Sequence, residues 1–501
     1  MAGKVIRRSF GGGFRFRHYI GQPAGTLDCL PIPERVVIPM LQGFGVPLKP
    51  LVEPGVTVAA GQVIGRDDAS LSSPVHATVN GKVLSIAQIE YAGRNVLAVV
   101  IAGDGTDSWV RLEGHSAQHQ KLTPGQIEGL LYRSGVSGLG SEGIPTRFHT
   151  SVINPADVRH LIVHMTGSDV FNPSPGVLLS GPSRDGFVAG IEILQRVMPK
   201  AGVHIVLSRN ERALLEGLGK LTAGMPAVKL YAVDSKYPQA APEMLVTTIL
   251  GEEFPYGHAA ANIGVVIIDA PAVLHAYEAV AEGKPVIERL VALSGPGFLK
   301  PVHVRARVGT PIQRILAGRL RDSGEVKQRV VLDSLLAGPA VEDRSLPLDR
   351  TVSQLVAVPD DDRRLPFAFA RPGLHTDSFS RSFVPAWLPV GKEASTNRHG
   401  EERPCIQCGW CARVCPVRII PHLIYRQARV GVNELLVRYG VFNCIDCNLC
   451  SFVCPSKIAL ARHIRDAKEK LLDVGCDNSS CILPKFDLKG IEEYKGVRSV
   501  R

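Results

Sequence analysis

Apolar residues recur along this chain at two different periods, and the changes of period divide it into regions. From residue 31 to about 112 they alternate with polar ones in short stretches broken by turn residues, as in Pro54-Gly55-Val56-Thr57-Val58 and Val75-His76-Ala77-Thr78-Val79-Asn80-Gly81. Alternation at period two predicts half-buried strands, and Asn80-Gly81 is the strongest hairpin signal. Between 120 and 292 apolar runs at 160–164, 177–180, 203–207, 228–233 and 265–268 alternate with helical segments. In one of these Phe187, Ile191, Leu194 and Met198 share a face, with Arg184-Asp185-Gly186 opening the helix and Pro199 closing it. Such alternation predicts βαβ units on a largely parallel sheet, with nucleotides at the strand C-termini. Short β segments return at 293–358 around Gly309-Thr310-Pro311 and Ala337-Gly338-Pro339, and 359–402 has the weak periodicity of a linker. Two helical faces follow, Val432, Leu435, Leu436 and Tyr439, then Leu460, Ile464, Ala467 and Leu471.

The fold class expected is multidomain α/β plus β. Its divisions are a basic N-terminal segment (1–30), a β domain (31–115), an α/β domain (116–292), a small β domain (293–358), a linker (359–402), a helical module (403–472) and a polar tail (473–501). The 501 residues, 45% hydrophobic and 21% charged, supply enough apolar surface for several packed cores. No run reaches the roughly 18 apolar residues that span a bilayer. Residues 1–16 are basic and glycine-rich without an apolar centre, unlike a secretory signal. The net charge of +10 suits nucleic acid, an anionic membrane surface or an acidic protein partner. No helix-turn-helix, zinc finger or RNA-binding signature accompanies it, which argues against nucleic acid. The basic groups Arg7, Arg8, Arg15 and Arg17, and Lys457, Arg462, Arg465, Lys468 and Lys470, are equally consistent with a solvated surface and with docking.

Chemistry enters with the cysteines. Eight of the eleven fall in two runs, Cys405-Ile-Gln-Cys408-Gly-Trp-Cys411-Ala-Arg-Val-Cys415-Pro416 and Cys444-Ile-Asp-Cys447-Asn-Leu-Cys450-Ser-Phe-Val-Cys454-Pro455. This doubled C-x2-C-x2-C-x3-C-P is the spacing of proteins with two [4Fe–4S] clusters, in which the fourth thiolate of each run completes the other cluster. The expected ligand sets are Cys405, Cys408, Cys411 with Cys454, and Cys444, Cys447, Cys450 with Cys415. Disulfides would need an oxidising compartment, and zinc needs only one C-x2-C pair from each site. Thiolate-held clusters place the chain in a reducing cytoplasm. Cys29 reads as a packed small apolar residue, Cys476 and Cys481 as a free exposed pair, and Trp410 as either a cluster shield or simple core.

A glycine-rich turn, Gly135-Val136-Ser137-Gly138-Leu139-Gly140-Ser141-Glu142-Gly143-Ile144-Pro145-Thr146, precedes the strand–helix alternation. Backbone amides of such a turn can cradle a phosphate. The earlier β region resembles the barrel-sandwich of biotinyl and lipoyl carriers. Where those hold the carrier lysine, this chain has Asp67-Asp68-Ala69-Ser70, which leaves a scaffold role.

In its succession of domains the chain resembles RnfC, a component of the Rnf electron-transport complex, from about residue 31 to 470. The most specific carriers are the cysteine runs, with Pro404-Cys405-Ile406 and Cys454-Pro455-Ser456-Lys457-Ile458. Others are Gly138-Leu139-Gly140…Gly143-Ile144-Pro145-Thr146, Lys236-Tyr237-Pro238-Gln239 and Leu250-Gly251-Glu252-Glu253. The resemblance implies a barrel-sandwich hybrid, a flavin-type α/β domain, a small SLBB-like β domain and a ferredoxin module. It implies FMN and NADH at Gly138, Gly140, Gly143, Pro145 and Thr146, with no catalytic side chain assigned. It further implies electron relay between NADH and membrane-embedded partners that move ions, with a small redox carrier as a further partner, on the cytoplasmic side of the membrane. Two departures stand against the flavin site. Glu142 would bring a carboxylate towards phosphates, unfavourable by roughly 1 kcal/mol or more in a partly dry site. The family's acidic flavin-lining stretch is replaced by Met165-Thr166-Gly167-Ser168-Asp169-Val170-Phe171-Asn172-Pro173, which is similar to NqrA, a component of the sodium-translocating NADH:quinone reductase. The alternatives are a wiring protein that binds neither FMN nor NADH, and a soluble flavin reductase related to the cobalamin reductases, in which the cluster module precedes the small β domain.

Overall fold

Near-continuous apolar runs suit strands covered on both faces, and such runs form the central sheet. The structure, a computed structural model, describes residues 5–43, 47–67, 73–91, 93–136, 158–167, 169–321, 324, 326–361, 375–377, 379–380 and 387–476. Strands Val228–Val233, Gly202–Ser208, His160–Met165 and Val265–Asp269 lie side by side in that order, all parallel. Chain order reverses beside His160–Met165, a topological switch point whose C-terminal crevice is where sheets of this kind bind ligands. Phe187, Ile191, Leu194 and Met198 are fully buried along helix Ser183–Val197 and its C-cap, as their spacing predicts. The run at 177–180 is not a strand. Pro175 starts the short helix Pro175–Leu178 there, because so brief an apolar run has no period of its own and the proline favours a helical first turn.

The N-terminal segment does not stand apart. Ile6–Arg8 adds a parallel edge strand to the central sheet against Val228–Val233, and Leu27–Cys29 adds one to the small β sheet against Val302–Arg307. Both cover edges that would otherwise present unpaired backbone groups. Arg15 pairs with Asp234 instead of serving a free basic surface. Cys29 is exposed on its edge strand, contrary to the packed position expected of it.

In the first β domain the sheet order is Arg35–Pro39, Arg94–Gly103, Gly81–Tyr91, Thr57–Val58, with Val63–Gly65 and Val75–His76 forming a second small sheet. Its long hairpin turns between Tyr91 and Arg94, not at Asn80-Gly81. Asn80 instead accepts the Ala60 N–H at 2.9 Å and donates to the Thr106 and Ser108 carbonyls at 3.0 and 2.9 Å. Gly81, at φ +152°, passes so near Ala102 that a Cβ would lie 1.8 Å from its carbonyl oxygen. The dipeptide marks the start of a strand, with Gly81 paired to Val58 on one side and Gly103 on the other. The stretch expected to carry a lysine in carrier domains lies, beyond Asp67, outside the described residues.

The small β sheet runs Gln328–Leu332, Gln354–Pro359, Glu288–Ser294, Val302–Arg307, Leu27–Cys29, so Glu288–Ser294 straddles the boundary drawn at 292. Arg350, buried between the domains, donates to the carbonyls of Pro74 at 2.9 Å, Gln42 at 3.2 Å and Gly135 at 3.3 Å. One guanidinium thus ties the barrel-sandwich, the end of helix Pro124–Ser134 and the small β domain. Among the described residues no helix is long and apolar enough to cross a membrane.

Candidate metal centre

The two cysteine runs fold alike because their backbones need the same rare conformations. The runs are offset by 39 positions (444 − 405), and the left-handed residues follow the offset. Gln407 and Asp446 have φ of 55° and 52°, Gly409 and Asn448 have 71° and 62°, and Arg418 and Lys457 have 59° and 56°. These turns wrap each loop around its three leading cysteines and send the fourth away. Helices Trp410–Val414 and Leu449–Phe452 carry the third cysteine of each run, and the longer helices Pro421–Val430 and Leu460–Asp473 pack across them. Ile424, Leu460, Ile464, Ala467 and Leu471 fill the core between them. Of the other expected face only Leu436 is fully buried, on helix Asn433–Arg438.

Cys405, Cys408 and Cys411 of the first run and Cys454 of the second line one cavity, together with His422 and Ser456. Cys415 lies with the other group. After burial, the influences that raise the Cys450 thiol are Cys444, Cys447, Cys415 and, last, Cys411, while Cys415 is the first-run cysteine that also raises Cys444 and Cys447. Burial is also the first cause at Cys415 and Cys454, which it raises, and at Cys411 and Cys444, pushed up to about 11, and Cys447, pushed up to about 12. Among the described residues no three His, Cys, Asp or Glu side chains are grouped as a single-ion site. At the first group the sulfurs line a cavity, and an all-thiolate donor set around a cavity suits a multi-iron cluster.

The surroundings of the two groups differ. At the first, Cys408 is exposed and Ile406 is 68% exposed. Cys411 Sγ lies 3.6 Å from His422 Nδ1, and burial followed by the charge of Arg426 lowers the His422 pKa. Ser456 donates to the Pro404 carbonyl at 2.9 Å and closes the run against its partner. The second group is walled in by the rest of the molecule. Tyr237 donates its hydroxyl to the Cys447 carbonyl at 2.8 Å, Asn448 donates to Leu336 O at 2.8 Å, and Lys468 reaches the Cys444 carbonyl at 2.5 Å and Asp446 at 2.8 Å. Phe14 and Phe16 pack edge-on against Phe452 at 5.3 and 5.2 Å. Gly13 donates its N–H to Val414 O at 2.7 Å, and a Cβ on Gly12 would lie 2.6 Å from the Cys415 carbonyl oxygen. Trp410 packs in the apolar group that contains Tyr237, Val414, Leu449 and Cys447, so it is core and cluster wall together.

Gly138, Gly140, Gly143, Pro145 and Thr146, expected to contact FMN and NADH, lie outside the described residues, as does Cys481. The described approach to that loop is the C-terminus of helix Pro124–Ser134, where Gly135 takes the left-handed conformation and Val136 is buried. Cys476 is exposed beyond the last helix. Sequence reasoning gave no role to Gly12, Gly13, His422 or Asp446, and quoted Tyr237 only within a stretch of resemblance. Superimposing the two runs at their offset would have singled out His422 and Asp446, whose counterparts are Ala461 and Gln407.

Three domain models match the chain: the RnfC barrel sandwich hybrid domain over residues 10–106, the Nuo51 FMN-binding domain over 131–278 and a 4Fe-4S dicluster domain over 404–459. The C subunit of the ion-translocating oxidoreductase complex of Pseudomonas aeruginosa is 29% identical over 454 residues, 88% of this chain and 53% of that one. The C subunit of the proton-translocating ferredoxin:NAD(+) oxidoreductase complex of Clostridium ljungdahlii is 25% identical over 405 residues, 79% of each chain. The chain thus spans about half the length of the first relative and four-fifths of the second. Among solved structures, a NAD+-reducing [NiFe]-hydrogenase in the air-oxidized state is similar at 15% identity and a TM-score of 0.41, covering 70% of this chain and 62% of that one. The resemblance to RnfC is carried by the first domain model and the relatives, and the cysteine module is a domain for two [4Fe–4S] clusters.

Proposed function

We propose that this chain is the peripheral electron-relay component of an Rnf-like, ion-translocating redox complex, passing electrons between NADH, by way of FMN, and membrane-embedded partners at the cytoplasmic face. The observation that carries the reading is the cavity lined by three cysteines of one run and the last cysteine of the other. Cys405, Cys408, Cys411 and Cys454 would hold one cluster, and Cys444, Cys447, Cys450 and Cys415 the second. When bound, such clusters take and give electrons singly. The chain's own residues hold them at fixed separation, since each run is anchored to the other through its fourth cysteine. Phe14, Phe16, Trp410 and Tyr237 keep water from the Cys447 side, while the Cys408 side stays open to a partner. The match of residues 131–278 to an FMN-binding domain, together with the switch point beside His160–Met165, supports a flavin in the α/β body. On this reading the walled-in cluster lies on the body's side and the open one faces outward.

Anaerobically purified protein should contain iron, sulfide and flavin, and NADH should bleach the cluster absorbance. Clusters that bleach with dithionite but not with NADH would leave a wiring protein without a nicotinamide site. Colourless, zinc-containing protein would end the electron-carrier reading.

A further inference from the structure

The internal repeat supplies its own control, because the two cysteine runs share a backbone and differ at a few positions beside the sulfurs. His422, on the first turn of helix Pro421–Val430, has Ala461 as its counterpart 39 positions on (461 − 422), and Gln407 has Asp446. His422 Nδ1 is 3.6 Å from Cys411 Sγ and the ring lines the first cavity. A sulfur bound to iron has no proton to give, so the imidazole N–H is the only possible donor of that pair. In the second run the Asp446 carboxylate lies 3.8 Å from Cys444 Sγ, with Lys468 at 2.8 Å and Arg465 at 4.0 Å from it, and at Cys444 the opposing charge of Lys468 acts more strongly than that of Asp446.

We propose that His422 is a positioning residue that raises the reduction potential of the cluster held by Cys405, Cys408, Cys411 and Cys454, and that with the Gln407/Asp446 exchange it sets this cluster above the other. The inference rests on the ligand sets of the proposed function. One-electron reduction adds a negative charge to the cluster and its sulfurs. An N–H aimed at a ligand sulfur stabilises that charge, a nearby carboxylate opposes it, and solvent exposure favours it. The His422 N–H and the solvent exposure act in one direction, since Cys408 is exposed while Cys447 is half-buried beside Tyr237, and Lys468 limits what Asp446 adds to them. Electrons arriving from the body would therefore collect on the outward cluster.

The test is a mediated redox titration of the purified, cluster-loaded chain followed by EPR, with iron measured in every sample. Wild type should give two four-iron waves. His422→Ala should lower the higher one by about tenfold in the reduction equilibrium, ~59 mV for a one-electron couple, with iron content unchanged, and His422→Gln should restore part of it. Asp446→Gln should raise the lower wave by a smaller factor, because its carboxylate is partly exposed and ion-paired. Two intact clusters whose waves coincide, or a higher wave unmoved by His422→Ala and a lower one unmoved by Asp446→Gln, overturn this inference and leave the ligand sets standing. Protein without four-iron signals overturns both.

Discussion

The two four-cysteine groups are built from one backbone pattern yet live in different surroundings. Left-handed residues recur at Gln407/Asp446, Gly409/Asn448 and Arg418/Lys457, so the loops are copies. Around Cys447 the copy is buried under Tyr237, Phe14, Phe16 and Trp410, and around Cys408 it meets solvent. The difference separates two requirements that a relay must meet. Ligand spacing is local and can be duplicated. Burial is contributed by the N-terminal segment and the α/β body, which can wall in only one of two copies.

The comparison is most severely tested at the crossing cysteines. Cys411→Ala should remove the open cluster and Cys415→Ala the walled-in one, each with loss of about half the iron, although both belong to the first run. If the two variants lose the same EPR signal, the crossed sets are wrong. Next in size is Gly12→Ala. Its Cβ would meet the Cys415 carbonyl oxygen at 2.6 Å from a backbone at φ +67°, a cost of about 2 kcal/mol or more. Thermal unfolding should shift down and the walled-in cluster should be lost preferentially. Equal loss of both would mean that the N-terminal segment supports the module as a whole.

Loading distinguishes the groups more gently. Burial raises Cys415, Cys444, Cys447 and Cys450, so without metal these thiols keep their protons at neutral pH and iron must displace them. Reconstitution of metal-free protein with iron and sulfide should therefore improve from pH 7 to pH 9 and weaken below 7, with the walled-in cluster the slower to form. Iron uptake that is flat across this range would contradict the sign. The smallest effect is expected from Tyr237→Phe, which deletes the hydroxyl donated to the Cys447 carbonyl and should cost about 1 kcal/mol. EPR of the walled-in cluster should broaden while that of its neighbour stays unchanged.

Much of this architecture is legible in the chain. Period-two and period-3.6 patterns located four of the five expected central-sheet strands and the helix face of Phe187, Ile191, Leu194 and Met198. They failed at 177–180, where four apolar residues carry no period and Pro175 decides. Asn80-Gly81 misled because its residues suit a hairpin turn and a crowded strand start equally well, and only the approach of Ala102 selects between them. No local pattern could reveal that Ile6–Arg8 and Leu27–Cys29 complete two different sheets, since parallel edge pairing over more than 200 residues leaves no mark on a three-residue strand.

Sequence alone determined the cysteine spacing, the duplicated loops and hence the kind of centre they can hold, because ligand geometry is set by a dozen consecutive residues. Tertiary structure decided which copy is walled in, that His422 stands beside Cys411, and that Gly12 must lack a side chain to pass Cys415. Those facts depend on which distant segments come to lie against the loops, and packing between segments is fixed only when the whole chain has folded.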